Sequence, residues 1–192
     1  MARPKEFDGE VAMAAAIALF SQHGFEGTST EALLRAMRIS RQSLYDTFGD
    51  KRQLYLAALR RYNEDNVADF ISAMTAAPTP LTGVESAFMA FIAKAVASAH
   101  PSCLGVSAIC EFGRADAEIA AMGDAAAHTL AHALERQLTA AQAAGEMDAH
   151  TDIPTAAAFL GATLAGLKVS ARAGTGAEIL RSVARLALRS LK

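Results

Sequence analysis

A short run of side chains in the first third of the sequence has the chemistry needed to bind a nucleic acid. Arg41 and Gln42 are neighbours, and these two residue types make paired hydrogen bonds to the edges of guanine and adenine in the major groove. The residues that follow carry hydroxyl or ammonium groups, which suit phosphate oxygens: Ser43, Tyr45, Thr47 and Lys51. The pattern therefore predicts a surface that contacts base edges and the phosphate backbone together.

Other reactive side chains are scattered and indicate less. His128 and His132 stand four residues apart on a predicted helix, with Asp124 and Glu135 near the same face, a spacing that can hold a metal ion. That face lies well round from the apolar stripe, so we interpret it as an acidic solvated surface and predict no metal site. The sequence has no Gly-rich phosphate loop, nucleophile elbow or zinc signature, and no cofactor or catalytic residue is predicted.

The basic cluster lies within two short helical patterns joined by a tight turn. Thr28 and Glu31 match a capping box, which predicts that the first helix starts there. Its inward residues are predicted to be Leu33, Ala36 and Met37. Only Arg38 and Ile39 separate it from the second helix, a gap typical of a helix-turn-helix.

The second short helix is predicted to run from Arg41 to Phe48 with Ser40 as its N-cap. With Leu44 and Phe48 facing inward, the polar residues of this helix face outward or lie on its flanks. Between Arg35 and Arg61 there are seven basic and two acidic residues. We interpret this surface as one that reads DNA; the alternative is the solvated face of an ordinary helical bundle.

The same stretch resembles a known family. The segments HGFEGTST, ALLRAMRIS and SRQSLYDTFGDKRQLY are similar to the N-terminal domain of TetR/AcrR-family transcriptional regulators. The resemblance implies that Thr28 and Ser29 touch phosphate, that Arg41, Gln42 and Ser43 face bases, and that Tyr45 and Lys51 bind the backbone. It also implies a homodimeric repressor that binds a palindromic operator and is released by a small-molecule inducer.

The chain departs from the family pattern at Arg38, where the family commonly has Gly. A non-Gly residue in a left-handed conformation costs about 1 kcal/mol. Either the turn is reshaped, or Arg38 makes a phosphate contact that offsets the strain.

The remaining sequence predicts helices only, so the predicted fold is all-α. A three-helix head at residues 1–50 is followed by a connecting helix at 50–75 and a ligand-binding and dimerisation domain at 76–192, with Pro78 and Pro80 at the boundary. Asp8, Asp50 and Asp152 are predicted to cap helices, and Thr175 and Glu178 match a second capping box. For the first helix, the predicted inward residues are Val11, Ala14, Ile17, Ala18 and Phe20. Arg3 and Lys5 form a basic arm that either contacts DNA or is a solvated terminus.

The last two predicted helices carry much apolar surface, which suits a four-helix dimer interface. The residues predicted to form that interface are Phe159, Leu160, Leu164, Leu167, Ile179, Val183 and Leu186. The alternative is that this hairpin only closes the core of one protomer. Family members usually build a ligand cavity from the preceding helices, and the candidate walls here are Phe88, Phe91, Cys103, Val106, Cys110 and Phe112.

Cys103 has a second interpretation. The segment Ser102 to Val106, followed by Glu111 and Asp116, resembles a branch of the family in which a Cys at this helix start senses electrophiles or oxidants. A thiol in the first turn of a helix is near unpaired N–H groups, which favour the thiolate. The alternative is an inert buried residue, and Cys110 is either its disulfide partner or part of the core.

Composition limits the remaining possibilities. The 192 residues carry a net charge of −2, but residues 1–62 carry +2 and the remainder −4. Two Cys form no disulfide framework, the N-terminus has no signal-peptide core, and no apolar run reaches the ~20 residues of a membrane span, so we expect a cytoplasmic protein. The rival to a DNA-binding regulator is a helical enzyme or adaptor.

Overall fold

The computed structural model describes residues 7–97 and 103–192, and all regular structure within these residues is α-helical. The nine helices there are α1 (Gly9–His23), α2 (Thr30–Met37), α3 (Arg41–Phe48), α4 (Lys51–Thr75), α5 (Pro80–Ala97), α6 (Leu104–Phe112), α7 (Ala117–Ala143), α8 (Ile153–Arg172) and α9 (Ala177–Arg189). The all-α prediction is confirmed. The basic arm at Arg3 and Lys5 lies outside the described residues, as does Ser102.

Local capping sets where several helices begin. The Asp8 carboxylate accepts the backbone N–H of Glu10 at 2.9 Å, and that of Asp152 accepts the N–H of Thr155 at 3.0 Å. Such side-chain oxygens satisfy N–H groups that have no partner within the helix. The predicted starts of α1 and α8 are therefore confirmed, and Pro154 occupies the first turn of α8 as expected.

Both predicted capping boxes were wrong. α2 is capped by Ser29, whose hydroxyl accepts the N–H of Ala32 at 3.1 Å. α9 is preceded by Gly176, which makes no side-chain cap. The N–H of Thr175 bonds instead to the carbonyl of Ser170 at 3.0 Å, so Thr175 belongs to the end of α8.

Contacts divide the described residues into two compact units. The first contains residues 7–63 and 103–123, and the second contains residues 64–97 and 124–192. This division does not follow the predicted boundary at Pro78 and Pro80, because α6 and the start of α7 pack with the head. The sequence around α6 gave no indication that this helix packs against residues more than forty positions earlier in the chain. The assignment of functions to domains stays a prediction.

The core of the first unit joins α1 to α4 with α6. Phe20, Leu33, Leu44 and Tyr55 are completely buried there. α1 buries Ala12 and Ala16, whereas three predicted inward residues, Val11, Ala14 and Ala18, are exposed. Ala36 of α2 is exposed as well. Alanine-rich helices offer little hydrophobic contrast between their faces, so the sequence pattern did not separate the buried Ala12 and Ala16 from the exposed Ala14 and Ala18.

The core of the second unit joins α5, α7, α8 and α9. Val84, Phe88 and Ile92 of α5 are fully buried in it, with Leu134 and Leu138 of α7. These helices enclose an ordinary close-packed interior. By length and composition α5 and α8 are also apolar enough to cross a membrane, with mean hydropathies of 1.2 and 1.3, a property they share with core helices of soluble proteins.

Candidate nucleic-acid interface

The turn between α2 and α3 has the predicted length and a left-handed residue at its centre. Arg38 adopts φ 55° and ψ 42°. Its N–H bonds to the carbonyl of Arg35 at 3.3 Å, and the N–H of Ile39 bonds to the carbonyl of Leu34 at 3.2 Å. These bonds satisfy the last carbonyls of α2 in the manner of a helix end that usually carries Gly.

Arg38 is the only non-glycine with a positive φ among the described residues. Of the two alternatives for this position, a reshaped turn is therefore wrong. The backbone is held in the conformation that glycine adopts most easily, at a cost of about 1 kcal/mol, and the Arg38 side chain is exposed.

α3 presents the predicted polar face. It begins where predicted, because the Ser40 hydroxyl accepts the N–H of Ser43 at 3.0 Å. Leu44 is buried and Phe48 is half-buried, which turns Arg41 and Gln42 to the exposed side. Tyr45 is also exposed, while Ser43 and Thr47 are half-buried on the flanks.

Acidic side chains hold both base-reading candidates. A terminal nitrogen of Arg41 lies 2.5 Å from a carboxylate oxygen of Glu31 in α2. The amide nitrogen of Gln42 donates to Asp46, one turn along α3, at 2.7 Å. The pKa of the Glu31 carboxyl lies below its ordinary value because its own backbone N–H, and then Arg41, stabilise the ionised form.

The predicted phosphate-contacting residues fall in different environments. Ser29 is exposed at the start of α2. Thr28 is 1% exposed, and its hydroxyl donates to the carbonyl of Gly24 at 2.6 Å, so this geometry does not support the phosphate contact expected of it. Lys51 follows Asp50, which caps α4 by accepting the N–H of Gln53 at 2.8 Å. The Lys51 ammonium lies 4.2 Å above the Phe25 ring, which orients it.

One carboxylate that sequence reasoning missed fixes the loop between α1 and α2. Glu111, in α6, accepts the backbone N–H of Phe25 at 2.8 Å and that of Glu26 at 2.7 Å. The partners are more than eighty residues apart in sequence, so no local pattern could have indicated the contact. Beside it, the start of α7 is attached to α4, since Arg52 pairs with Asp116 at 2.7 Å.

An aromatic cluster lies behind that loop. The ring of Tyr55 packs against Phe20 at 5.0 Å, Phe25 at 5.2 Å and Phe112 at 5.7 Å between centroids. The Tyr55 hydroxyl is the one buried side-chain polar atom of the described residues that lacks a hydrogen-bond partner. Burial, and then the charge of Glu111, raises the pKa of Tyr55 above its ordinary range.

The predicted ligand-wall residues do not share one environment. Phe112 belongs to the aromatic cluster of the first unit, Cys110 is exposed, and Val106 is half-buried. Phe88 is fully buried against Phe70 in the second unit, at 5.6 Å between centroids, so the prediction of it as a cavity wall is corrected to core. Phe91 is half-buried against the same core.

Two cavities of the second unit are lined by other residues. One, of about 290 Å³, lies between α4 and α7 and is bordered by Met74, His128, His132 and Arg136. The other, of about 710 Å³, lies between α5 and α9 and is bordered by Arg185 and other residues. None of the predicted wall residues lines either cavity.

The histidine pair is confirmed to be near in space. The rings of His128 and His132 are 4.3 Å apart between centroids, and Nδ1 of His132 lies 3.4 Å from Glu135. Both histidines are exposed. Across residues 7–97 and 103–192, no group of three or more His, Cys, Asp or Glu side chains is arranged to hold a metal ion.

Two short helices, a tight turn at residues 38–40 and an outward face with Arg41 and Gln42 define a helix-turn-helix DNA-binding protein. Residues 12–58 match the sequence model of the family described as bacterial regulatory proteins, tetR family. That match covers the three-helix head and the start of α4.

Similar proteins agree with this match. The chain is 29% identical over 189 residues to the HTH-type transcriptional repressor ComR of Escherichia coli (strain K12). This match covers 97% of this chain and 90% of ComR. It is 50% identical over 64 residues to the uncharacterized HTH-type transcriptional regulator YezE of Bacillus subtilis (strain 168), a match that spans about a third of either protein.

A solved structure extends the similarity to the whole fold. It is a cysteine mutant of the TetR family transcriptional regulator CifR, complexed with 26bp double-strand operator DNA. The TM-score is 0.87 at 29% identity, over 99% of this chain and 100% of that one. The chain therefore carries, at residues 12–58, the DNA-binding segment typical of the tetR family of bacterial regulatory proteins, and its fold is similar to that of CifR. It is a DNA-binding transcriptional regulator and not an enzyme.

Proposed function

We propose that this regulator is a homodimeric repressor that binds a palindromic operator and leaves it when an inducer binds. The observation that carries the proposal is the outward face of α3, where Arg41, Gln42 and Tyr45 are exposed beside a buried Leu44. A helix of this kind enters the major groove with its N-terminal residues at the base edges. The name of ComR and the operator complex of CifR support the same function.

Dimer formation is supported by an apolar face that the protomer leaves uncovered. Phe159 and Val169 of α8 are 45% and 53% exposed, and Ile179, Val183 and Leu186 of α9 are 62%, 44% and 62% exposed. α8 also exposes small residues close in sequence to Phe159 and Val169: Ala158, Ala162, Ala165 and Gly166. An apolar patch on two long helices, with small residues that allow close approach, suits a twofold four-helix contact.

The predicted interface residues divide into two groups. Leu160, Leu164 and Leu167 are buried in the core of their own protomer, so their prediction as interface residues was wrong. The other four, Phe159, Ile179, Val183 and Leu186, stay in the proposed interface. α8 is apolar on nearly every side, so its sequence could not show which face is internal.

In the proposed mechanism, the dimer places two copies of α3 in successive major grooves. Half-sites of this kind lie about 34 Å apart, one turn of the double helix. An inducer that binds better to a dimer with a different head spacing lowers operator affinity by its differential affinity for the two states. Such a repressor acts where the DNA is, so we propose a cytoplasmic location.

A gel shift with the DNA upstream of the chain's own gene tests the proposal. We expect one shifted species on a palindromic segment at low salt, and a shift that disappears when one half-site is scrambled. A scrambled duplex of equal length is the control. Failure to retain any palindrome at low salt would contradict the repressor hypothesis.

Within this proposal, the inducer is an electrophile that alkylates Cys103. This residue is the N-cap of α6 and makes no side-chain capping bond, so its thiol lies at the positive end of the helix dipole. The Tyr62 hydroxyl contacts the thiol. Burial, and then the proximity of Cys103, raises the pKa of Tyr62 above its ordinary range, so this hydroxyl stays protonated and can donate to the sulfur.

The chemistry of alkylation is simple addition. The thiolate attacks the double bond of N-ethylmaleimide, a carbon–sulfur bond forms, and the other alkene carbon takes a proton from water. Cys103 is 7% exposed, so a group attached there must displace its packed neighbours. Cys110 does not act as its disulfide partner while α6 is intact, because seven residues of helix span about 10 Å, beyond the ~7 Å limit between Cα atoms. Nor is Cys110 part of the core, since it is exposed.

Cys103→Ser tests this route, with Cys110→Ser as the matched control. We expect N-ethylmaleimide to release operator DNA from the parent and from Cys110→Ser, and to leave Cys103→Ser bound. If Cys103→Ser leaves the operator as the parent does, Cys103 is not the sensor, and the repressor proposal then rests on a non-covalent inducer.

A further inference from the structure

The two side chains best suited to read bases are each restrained by a carboxylate. Arg41 and Glu31 form an ion pair at 2.5 Å, with side chains 56% and 62% exposed. Gln42 and Asp46 form a hydrogen bond at 2.7 Å. The capping role predicted for Glu31 does not compete with this pairing, since Ser29 caps α2. Arg41 and Gln42, the two candidate base-reading side chains on the outward face of α3, therefore each already have a carboxylate partner before DNA binds.

The Arg41 restraint leaves part of the guanidinium free. Its contact with Glu31 involves one terminal nitrogen, and a guanidinium carries five N–H groups in a fixed plane. A guanine that offers O6 and N7 in the right place can therefore use the remaining N–H groups or replace the carboxylate. An incorrect base supplies a poorer replacement, because its edge does not offer two acceptors in that planar arrangement.

The carboxylates also act on DNA directly. DNA carries one negative charge per about 1.7 Å of its axis, and non-specific binding is almost entirely electrostatic. A carboxylate on the α3 face weakens binding to every sequence through repulsion. Only a sequence that satisfies Arg41 and Gln42 recovers that loss, because its base contacts replace the internal ones.

We propose that Glu31 and Asp46 are specificity-determining residues that keep Arg41 and Gln42 from binding DNA indiscriminately. The carboxylates lower affinity for non-operator DNA more than affinity for the operator. This inference rests on the proposed function, since it requires α3 to read an operator.

The test compares Glu31→Gln and Asp46→Asn with Glu26→Gln. Glu26 is an exposed residue of the same unit, and the bond it makes to Glu111 uses its backbone N–H, so its substitution removes an equal charge without touching the reading face. Fluorescence anisotropy at one salt concentration gives Kd for the operator and for a scrambled duplex of the same length. Circular dichroism verifies that each variant is folded.

For Glu31→Gln we expect scrambled DNA to bind roughly fivefold more tightly, about the effect of one screened surface charge near a phosphate. Operator affinity should change by less than about twofold, because the lost repulsion is offset by the lost orientation of Arg41. The operator preference, the ratio of the two affinities, then falls by at least about 2.5-fold. Asp46→Asn should also lower the operator preference, and Glu26→Gln should leave that preference unchanged.

A second pair of variants separates the restraint of Arg41 by Glu31 from the electrostatic repulsion between Glu31 and DNA. In an Arg41→Ala background, Glu31→Gln should tighten both duplexes equally and leave the preference unchanged, because there is no guanidinium left to restrain. The inference is overturned if Glu31→Gln tightens both duplexes equally in the parent background, or if it lowers the preference to the same extent without Arg41. A parent protein that does not distinguish the operator from scrambled DNA would overturn the proposed function itself.

Discussion

Arg41 and Lys51 illustrate how two basic residues of one surface are expected to do different work. We expect Arg41→Ala to cost about 1–3 kcal/mol of operator binding and to relax base preference, because a side chain that pairs with a base edge is lost. Lys51→Ala should weaken operator and scrambled DNA alike and reduce the salt slope by about 1, since a phosphate contact carries no sequence information. Kd measured at several salt concentrations gives both quantities. Unchanged operator preference in Arg41→Ala would mean that another face reads the DNA.

Arg38 provides a second test at a single residue, since its backbone has φ 55°. Arg38→Gly removes strain of about 1 kcal/mol and gains unfolded-state entropy of about 0.4–1 kcal/mol. We therefore expect the free energy of unfolding to change by less than roughly 0.5 kcal/mol.

The matched control for that variant is Arg38→Ala, which keeps the strain and removes the same charge. Both variants should weaken binding to all DNA sequences equally if Arg38 contacts a phosphate. Urea titration measures the stability and anisotropy measures the affinity. Higher stability of Arg38→Gly with unaltered DNA binding would show that this Arg makes no phosphate contact.

Among the helices, α6 carries the carboxylate that binds the loop between α1 and α2. Glu111→Ala removes the acceptor of two N–H groups, those of Phe25 and Glu26. Hydrogen bonds to a charged group contribute about 1.5–3 kcal/mol when buried, and exposure here reduces that, so we expect a loss of about 1 kcal/mol in the free energy of unfolding.

Hydrogen exchange locates that effect. The amides of residues 25 and 26 should exchange faster in Glu111→Ala, while the amides within α5 should not change. Glu85→Ala, an exposed carboxylate of the second unit, is the control for loss of charge. Equal protection at residues 25 and 26 in the parent and in Glu111→Ala would contradict the loop-anchoring role of Glu111.

Helix boundaries were the best-predicted elements, because they depend on neighbouring residues. Ser40, Asp50 and Asp152 each cap the helix that follows within three residues. The prediction failed where three hydroxyl residues, Thr28 to Thr30, competed for one cap. Which of them becomes the cap depends on Thr28 being buried against Gly24, a tertiary fact.

Packing between segments that are distant along the chain could not be predicted from the sequence. The helix-turn-helix surface could be predicted because its residues lie within about twenty positions of one another. The contact of Glu111 with Phe25 and the burial of Leu160 could not, because both depend on which helices become neighbours. Apolar residues on nearly every side of α8 made the internal and external faces look alike.

Across the whole molecule, charge alone gives a weak DNA footprint, since residues 1–62 carry only +2. Each phosphate that a basic residue neutralises contributes separately to affinity and to its salt dependence. Two heads on one operator double the number of such contacts, so operator affinity should depend strongly on dimer formation. The exposed apolar face of α8 and α9 is thus as important to the proposed function as α3.

Leu186→Glu tests that dependence. Leu186 is 62% exposed on α9, and a twofold interface would place two copies of the new carboxylate in apolar surroundings, where an unpaired charge is costly. We expect light scattering to give about twice the chain mass of 20.1 kDa for the parent and a single chain mass for Leu186→Glu. The operator affinity of Leu186→Glu should be lower than that of the parent, while its helical circular dichroism stays unchanged.

Ile109→Glu is the control for that experiment, because Ile109 is 68% exposed on α6 of the first unit and is not one of the proposed interface residues. It should remain a dimer with the parent's affinity for the operator. A parent that is monomeric at micromolar concentration, or a dimeric Leu186→Glu, would show that α8 and α9 do not form the interface. If Leu186→Glu is instead monomeric and still binds the full palindrome as tightly as the parent, the two heads act independently, and the proposed coupling of dimer geometry to operator affinity is wrong.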